Sequence, residues 1–66
     1  MEYTNSQIRE LISEYIHSER DRAIMNRRLV DGITYERIAE EFGLSVMQTK
    51  RIIYKAEETL FRHIKN

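Results

Sequence analysis

Residues 38–51 read IAEEFGLSVMQTKR. A strongly helical run meets Gly43, and a second helical run opens behind Ser45. Glycine reaches left-handed backbone angles without a Cβ clash, so it suits the position just past a helix end. A serine hydroxyl accepts from the free N–H groups that open the next helix. Ala39 lies four positions before Gly43, and Ile52 nine positions after it. A small residue at the first place lets two helices approach, and an apolar one at the second locks them across each other. That is the spacing of a helix-turn-helix. An ordinary corner between packed helices carries similar punctuation, so the decision rests on what the second helix leaves outside.

Outward from this corner the chain reads as helix throughout. The expected fold is a small all-α domain of four helices, over about 6–17, 19–31, 35–42 and 46–64, with the helix-turn-helix in its second half. Asn5 or Ser6 is expected to cap the first helix, which turns Ile8, Leu11, Ile12, Tyr15 and Ile16 to one side. Ser18 stands three residues before Asp21 in a capping-box pattern, and Ala23, Ile24, Leu29 and Val30, with Met25, are the expected buried residues of the second helix. Asp31-Gly32 ends that helix, and Thr34 caps the third, which buries Ile38, Ala39 and Phe42. The fourth turns Thr49, Ile52, Ile53, Ala56, Leu60 and Ile64 inward. Both glycines fall just past helix ends, so neither belongs to a phosphate-binding loop.

The whole chain, 1–66, is expected to be one domain: a packing helix over 1–17 and the helix-turn-helix unit over 18–66. With 66 residues it buries a modest core, and a partner subunit would help it. There is no cysteine for a disulfide or thiolate site and no proline. The opening MEYTNSQIRE has neither the basic start nor the apolar run of a secretory signal, and nothing approaches the ~20 apolar residues of a membrane span. A cytoplasmic location without membrane contact is expected.

Eleven Lys and Arg balance eleven Asp and Glu, which argues against a nonspecific coat on nucleic acid. The balance is local as well as global. Residues 1–17 carry −2, 18–33 carry +1, 34–44 carry −2, and 45–66 carry +3 through Lys50, Arg51, Lys55, Arg62 and Lys65 against Glu57 and Glu58. The crowd Arg20, Arg22, Arg27 and Arg28 is expected to form a solvated face with local pairs to Glu19, Asp21 and Asp31.

The stretch RAIMNRRLVDGITYERIAEEFGLSVMQTKRIIYKAEETL, about residues 20–62 and free of insertions, resembles region four of bacterial sigma factors. The matching elements are RRLVDG, ITYERIAEEFGLS and KRIIYKAEETL, and the likeness is to extracytoplasmic-type and phage-borne or mobile-element proteins more than to the housekeeping type. The resemblance implies a stand-alone domain that reads promoter DNA, and contact with a flap element of RNA polymerase. Thr49 stands where the family usually carries valine or isoleucine, and its hydroxyl is expected to bond back to the carbonyl four residues earlier. Val46 and Met47 stand where relatives often carry charge, which points to a different target sequence. Nothing corresponds to region two, so a full sigma factor is not expected.

The DNA-binding set follows from the leading turns of the fourth helix. Gln48 has the geometry to pair with adenine and Arg51 with guanine, while Lys50 and Lys55 suit phosphates. Met47 or Val46 packs on a thymine methyl. Thr34, Tyr35 and Ser45 lie where free helix N–H groups meet phosphate. Tyr54 and Phe61, seven apart, share an apolar flank that the first helix or a second copy covers, and they form the candidate protein interface. His17 and His63 have no partner at metal-ligand spacing, so no metal is expected. No nucleophile–base–acid set is present, and Glu57-Glu58 reads as a solvated pair; neither an enzyme, a cofactor nor a small-molecule substrate is expected. The expected function is sequence-specific binding of double-stranded DNA in transcriptional regulation, with a homodimer on a repeated site as one arrangement. The alternatives are a module acting on RNA polymerase or a regulator, and a small subunit of phage DNA packaging.

Overall fold

The computed structural model describes residues 3–64, Ile64 in its backbone only, and consists of α1 Asn5–Tyr15, α2 Glu19–Leu29, α3 Tyr35–Phe42 and α4 Val46–Ile64. The last two helices begin and end where the sequence places them. The first two differ at their ends, and each difference has a local cause.

Helix α1 starts one residue early, because its N-cap is Thr4 and not Asn5 or Ser6. The run Thr4-Asn5-Ser6 offers three capping side chains, and the glutamine three residues on decides among them. Gln7 N–H donates to Thr4 Oγ1 at 3.2 Å, and Thr4 N–H donates to Gln7 Oε1 at 2.8 Å. Neither Asn5 nor Ser6 has such a partner three residues on, so the reciprocal box forms only at Thr4. The helix stops at Tyr15, since Ile16 is extended (φ −108°, ψ 117°) with its side chain buried. Arg22 fixes this corner: its guanidinium donates from Nε to the Ile16 carbonyl, and from Nη2 to the Ser13 carbonyl at 2.9 Å. Two carbonyls left open by the helix end thus gain a charged donor.

Ser18 caps α2 by accepting from Asp21 N–H at 3.3 Å. The reciprocal half is missing, because the Asp21 carboxylate pairs with Arg20 at 3.2 Å. The helix ends at Leu29, after which Val30 and Asp31 both donate to the Asn26 carbonyl, at 3.0 and 3.1 Å. Gly32 then takes φ 70°.

The core is built from all four helices: Ile12 and Ile16 at the end of α1, Ile24 and Met25 in α2, Ile38 in α3, and Ile53, Ala56 and Leu60 in α4. Ala23, expected inside, is exposed; Met25 takes the buried place beside Ile24. Leu29, Val30, Phe42 and Ile52 are half-buried at the edge. The side chain of Ile64, which the spacing adds to this face, lies outside the described residues. Ala39 is 3 % exposed beneath the α3–α4 corner, the close approach that its small side chain permits. Thr49 is fully buried, and its hydroxyl donates to the Ser45 carbonyl at 3.0 Å, as expected from its place in the helix.

Candidate nucleic-acid interface

The corner between α3 and α4 is closed by backbone bonds before any side chain contributes. Gly43 sits in the left-handed region (φ 67°, ψ 34°). Leu44 N–H donates to the Ala39 carbonyl at 2.9 Å, and Gly43 N–H to the Glu40 carbonyl at 3.4 Å. This pair of bonds is the Schellman closure, which satisfies helix-end carbonyls and reverses the chain in one residue. Ser45 then bonds through its N–H, its hydroxyl oxygen and its carbonyl. Its N–H donates to Gln48 Oε1 and its Oγ accepts from Gln48 N–H, both at 3.0 Å. Its carbonyl accepts from the N–H and the hydroxyl of Thr49, again at 3.0 Å. The leading end of α4 is therefore closed by a reciprocal capping box.

What this cap holds outward is one helical face. Met47 is 69 % exposed, Gln48, Arg51 and Lys55 are exposed, and Tyr54 is 52 % exposed. Met47, Arg51 and Tyr54 follow one another at spacings of four and three, which stacks them on one side of the helix. Thr49 and Ile53, between them in sequence, are wholly buried on the other side. Val46 and Lys50 are half-buried at the margins. Gln48 is exposed, yet its side-chain oxygen is already engaged in the cap, so a two-bond grip on adenine would have to open the box.

One margin of this face is aromatic and cationic. Tyr35, half-buried at the start of α3, lies under the Arg28 guanidinium at 4.2 Å from ring centroid to Cζ, with Lys50 Nζ at 5.6 Å. The Tyr54 ring meets the Tyr35 ring edge-on, at 6.0 Å and 84°. The hydroxyl of Tyr35, with desolvation second, holds the Tyr54 phenol above its ordinary pKa. Thr34, exposed beside them, is a cap, with Oγ1 accepting from Arg37 N–H at 3.2 Å. The cation–π contacts were not visible in the sequence, since Arg28, Tyr35 and Lys50 come from three helices.

The four arginines of α2 do not form one solvated face. Arg20 pairs with Asp21, Arg22 clamps the α1–α2 corner, and Arg28 donates to the Ile33 carbonyl at 3.0 Å while covering Tyr35. Arg27 bridges two helices: it grips Glu41 of α3 through Nε at 3.0 Å and again through Nη2, and reaches Asp31 through Nη1 at 3.0 Å. The expected pairs with Asp21 and Asp31 are present; among the described residues Glu19 forms none.

Tyr54 and Phe61 lie along the same side of α4 but meet different neighbours. Tyr54 belongs with Tyr35 on the α3 side, while Phe61, 61 % exposed, borders a separate apolar depression with Tyr3, Ile8, Leu11 and Leu60. His63 stacks on Tyr15, with centroids 3.9 Å apart and planes 7° from parallel. Among the described residues no three His, Cys, Asp or Glu side chains gather as a metal site, and no helix is long and apolar enough to cross a membrane.

A family model described as sigma-70, region 4 matches residues 18–61, from the cap of α2 to Phe61. No curated protein and no solved structure matches the chain.

Proposed function

The chain belongs to the sigma-70 region 4 family, a helix-turn-helix family, and on that premise we propose that it binds double-stranded DNA sequence-specifically and regulates transcription. The observation that carries the reading is the exposed face Met47–Arg51–Tyr54, set beyond a closed turn while the residues between them anchor α4 in the core. A helix about 10–12 Å across fits a major groove about 12 Å wide. In that position the Arg51 fork suits guanine, and Met47 and Val46 suit a thymine methyl. Lys50 and Lys55 serve phosphates, as do Thr34, Tyr35 and Ser45 at the helix starts. Gln48 acts first as a cap, with its amide nitrogen free to donate. Tyr54 joins this surface, with its hydroxyl as a donor. Zero net charge makes one copy a weak binder, so two copies on a repeated site raise affinity.

Selection from a random duplex pool, with mass followed by light scattering, tests the reading. An enriched motif is expected, and Arg51→Ala should weaken binding to it by roughly 1–3 kcal/mol with the fold intact. Binding unchanged in Arg51→Ala removes α4 from the groove.

A second reading rests on Phe61. Its exposed ring beside the apolar depression under α1 suits a protein partner, RNA polymerase being the one that the family implies. Capture of polymerase that survives Arg51→Ala and fails on Phe61→Ala favours it.

A further inference from the structure

The chain has no cysteine, so methionine is its oxidisable sulfur. The three methionines stand in different settings. Met1 lies outside the described residues. Met25 is wholly buried in the core, where peroxide reaches its sulfur only when the fold opens. Met47 is 69 % exposed in the first turn of α4. It precedes Arg51 by four residues, which makes the two side chains neighbours on the helix surface. Arg51 is exposed too, and among the described residues it forms no ion pair. The turn beneath Met47 is held by the Ser45–Gln48 box and by buried Thr49, and none of these bonds uses the Met47 side chain. Chemistry at this thioether therefore alters the outward face and leaves the fold intact.

We propose that Met47 is a site of oxidation by hydrogen peroxide, and that its sulfoxide lowers the affinity of this face for DNA. The proposal rests on the placement of α4 in the major groove. A sulfur lone pair attacks one peroxide oxygen, so that an S–O bond forms and the O–O bond breaks. The other oxygen takes the proton of the transferred one and leaves as water. Sulfur gives up two electrons, and the peroxide bond accepts them. The product is polar and chiral where the thioether was apolar. It no longer suits a thymine methyl, and burying its oxygen in the groove without a donor is costly. The oxygen is also an acceptor beside the Arg51 fork, where it competes with guanine O6 and N7 for the same N–H donors. Sulfoxide reductases, one for each epimer, reverse the step.

The test treats the 66-residue chain with hydrogen peroxide, maps its methionines by peptide mass spectrometry, and measures binding to the selected duplex by fluorescence anisotropy. Met47 should gain one oxygen atom while Met25 stays reduced. Affinity should fall on the order of tenfold, about the value of one base contact, and return after treatment with both reductases. Met47→Leu keeps the other two methionines, and its affinity, whatever the starting value, should be the same before and after peroxide. Circular dichroism confirms the fold of each sample. Met47 that oxidises no faster than Met25 overturns the site. Oxidised protein that binds as the reduced protein does, while Arg51→Ala still weakens binding, overturns the proposal and leaves the groove-docked α4 standing. Peroxide that weakens Met47→Leu as much as the wild type assigns the effect to another residue and overturns it as well. Reduced wild-type protein that binds no duplex overturns both readings.

Discussion

Ser45 and Gln48 exchange two hydrogen bonds at 3.0 Å, each residue's backbone N–H donating to the other's side-chain oxygen. The residue best suited to adenine recognition by its chemistry is thus the residue that starts the helix. Losing the Ser45 hydroxyl should cost about 0.5–2 kcal/mol, the usual value of such a cap. Gln48→Glu keeps both bonds available and should hold stability near the wild type, whereas Gln48→Ala should fall with Ser45→Ala. Chemical denaturation of the three variants decides it. Equal stability of Gln48→Ala and the wild type would show the box to be idle.

Gly43 has open space where a Cβ would stand, yet its φ of 67° lies where side chains are strained. Replacing it with alanine should therefore cost about 1–2 kcal/mol through the backbone alone. Asparagine, which tolerates this region, should cost less. Thermal melts of the pair read the order directly, and alanine no worse than asparagine would point away from backbone strain.

Thr49 is buried with its hydroxyl on a carbonyl that its own N–H already satisfies. Thr49→Val removes the hydroxyl without leaving an unpaired acceptor, and valine nearly matches threonine in shape. Stability should stay within about 1 kcal/mol of the wild type or rise. A loss beyond about 2 kcal/mol would mean that the hydroxyl has a larger role in the corner than its single bond indicates.

Glu41 and Arg27 give the fold a pH dependence of definite sign. The Arg27 guanidinium holds the Glu41 carboxyl below its usual value of 4.5. A carboxyl with a lower pKa in the folded state stabilises the fold above its unfolded value, and that contribution is lost as pH falls through the folded value. Glu41→Gln should therefore melt below the wild type at neutral pH, with the gap closing below pH 4.5. A gap that stays constant into acid would assign the effect to packing and not to charge.

Much of this structure could be read from local spacing. The bounds of α3 and the start of α4 follow from a threonine, a glycine and a serine, each of which acts within four residues of its own position. The cap of α1 was equally legible in principle, because Thr4 and not Asn5 has a glutamine three residues on. The same holds for SVMQ, whose serine and glutamine carry the spacing of a capping box. What could not be read are meetings between helices. Nothing local links Arg27 to Glu41, fourteen residues away, or sends Tyr54 to Tyr35 while Phe61 goes to the α1 side. Helical periodicity put Tyr54 and Phe61 on one flank, but the seven-residue step from one to the other spans about 10 Å, enough for each to meet a different neighbour. Ala23 shows the opposite failure: it is apolar yet exposed, while Ile24 and Met25 beside it are wholly buried.

Helix α4 is one unbroken rod of 19 residues, with Leu60 seated near its far end and Met47 at its tip. The two are about 20 Å apart along the axis. A tilt of roughly 5° about Leu60 swings the tip through nearly 2 Å, which is enough to make or break a hydrogen bond. The oily seat at the rear is thus also the sight that aims the tip: with α4 docked as proposed, a methyl group added or removed there should alter which bases are favoured without touching them.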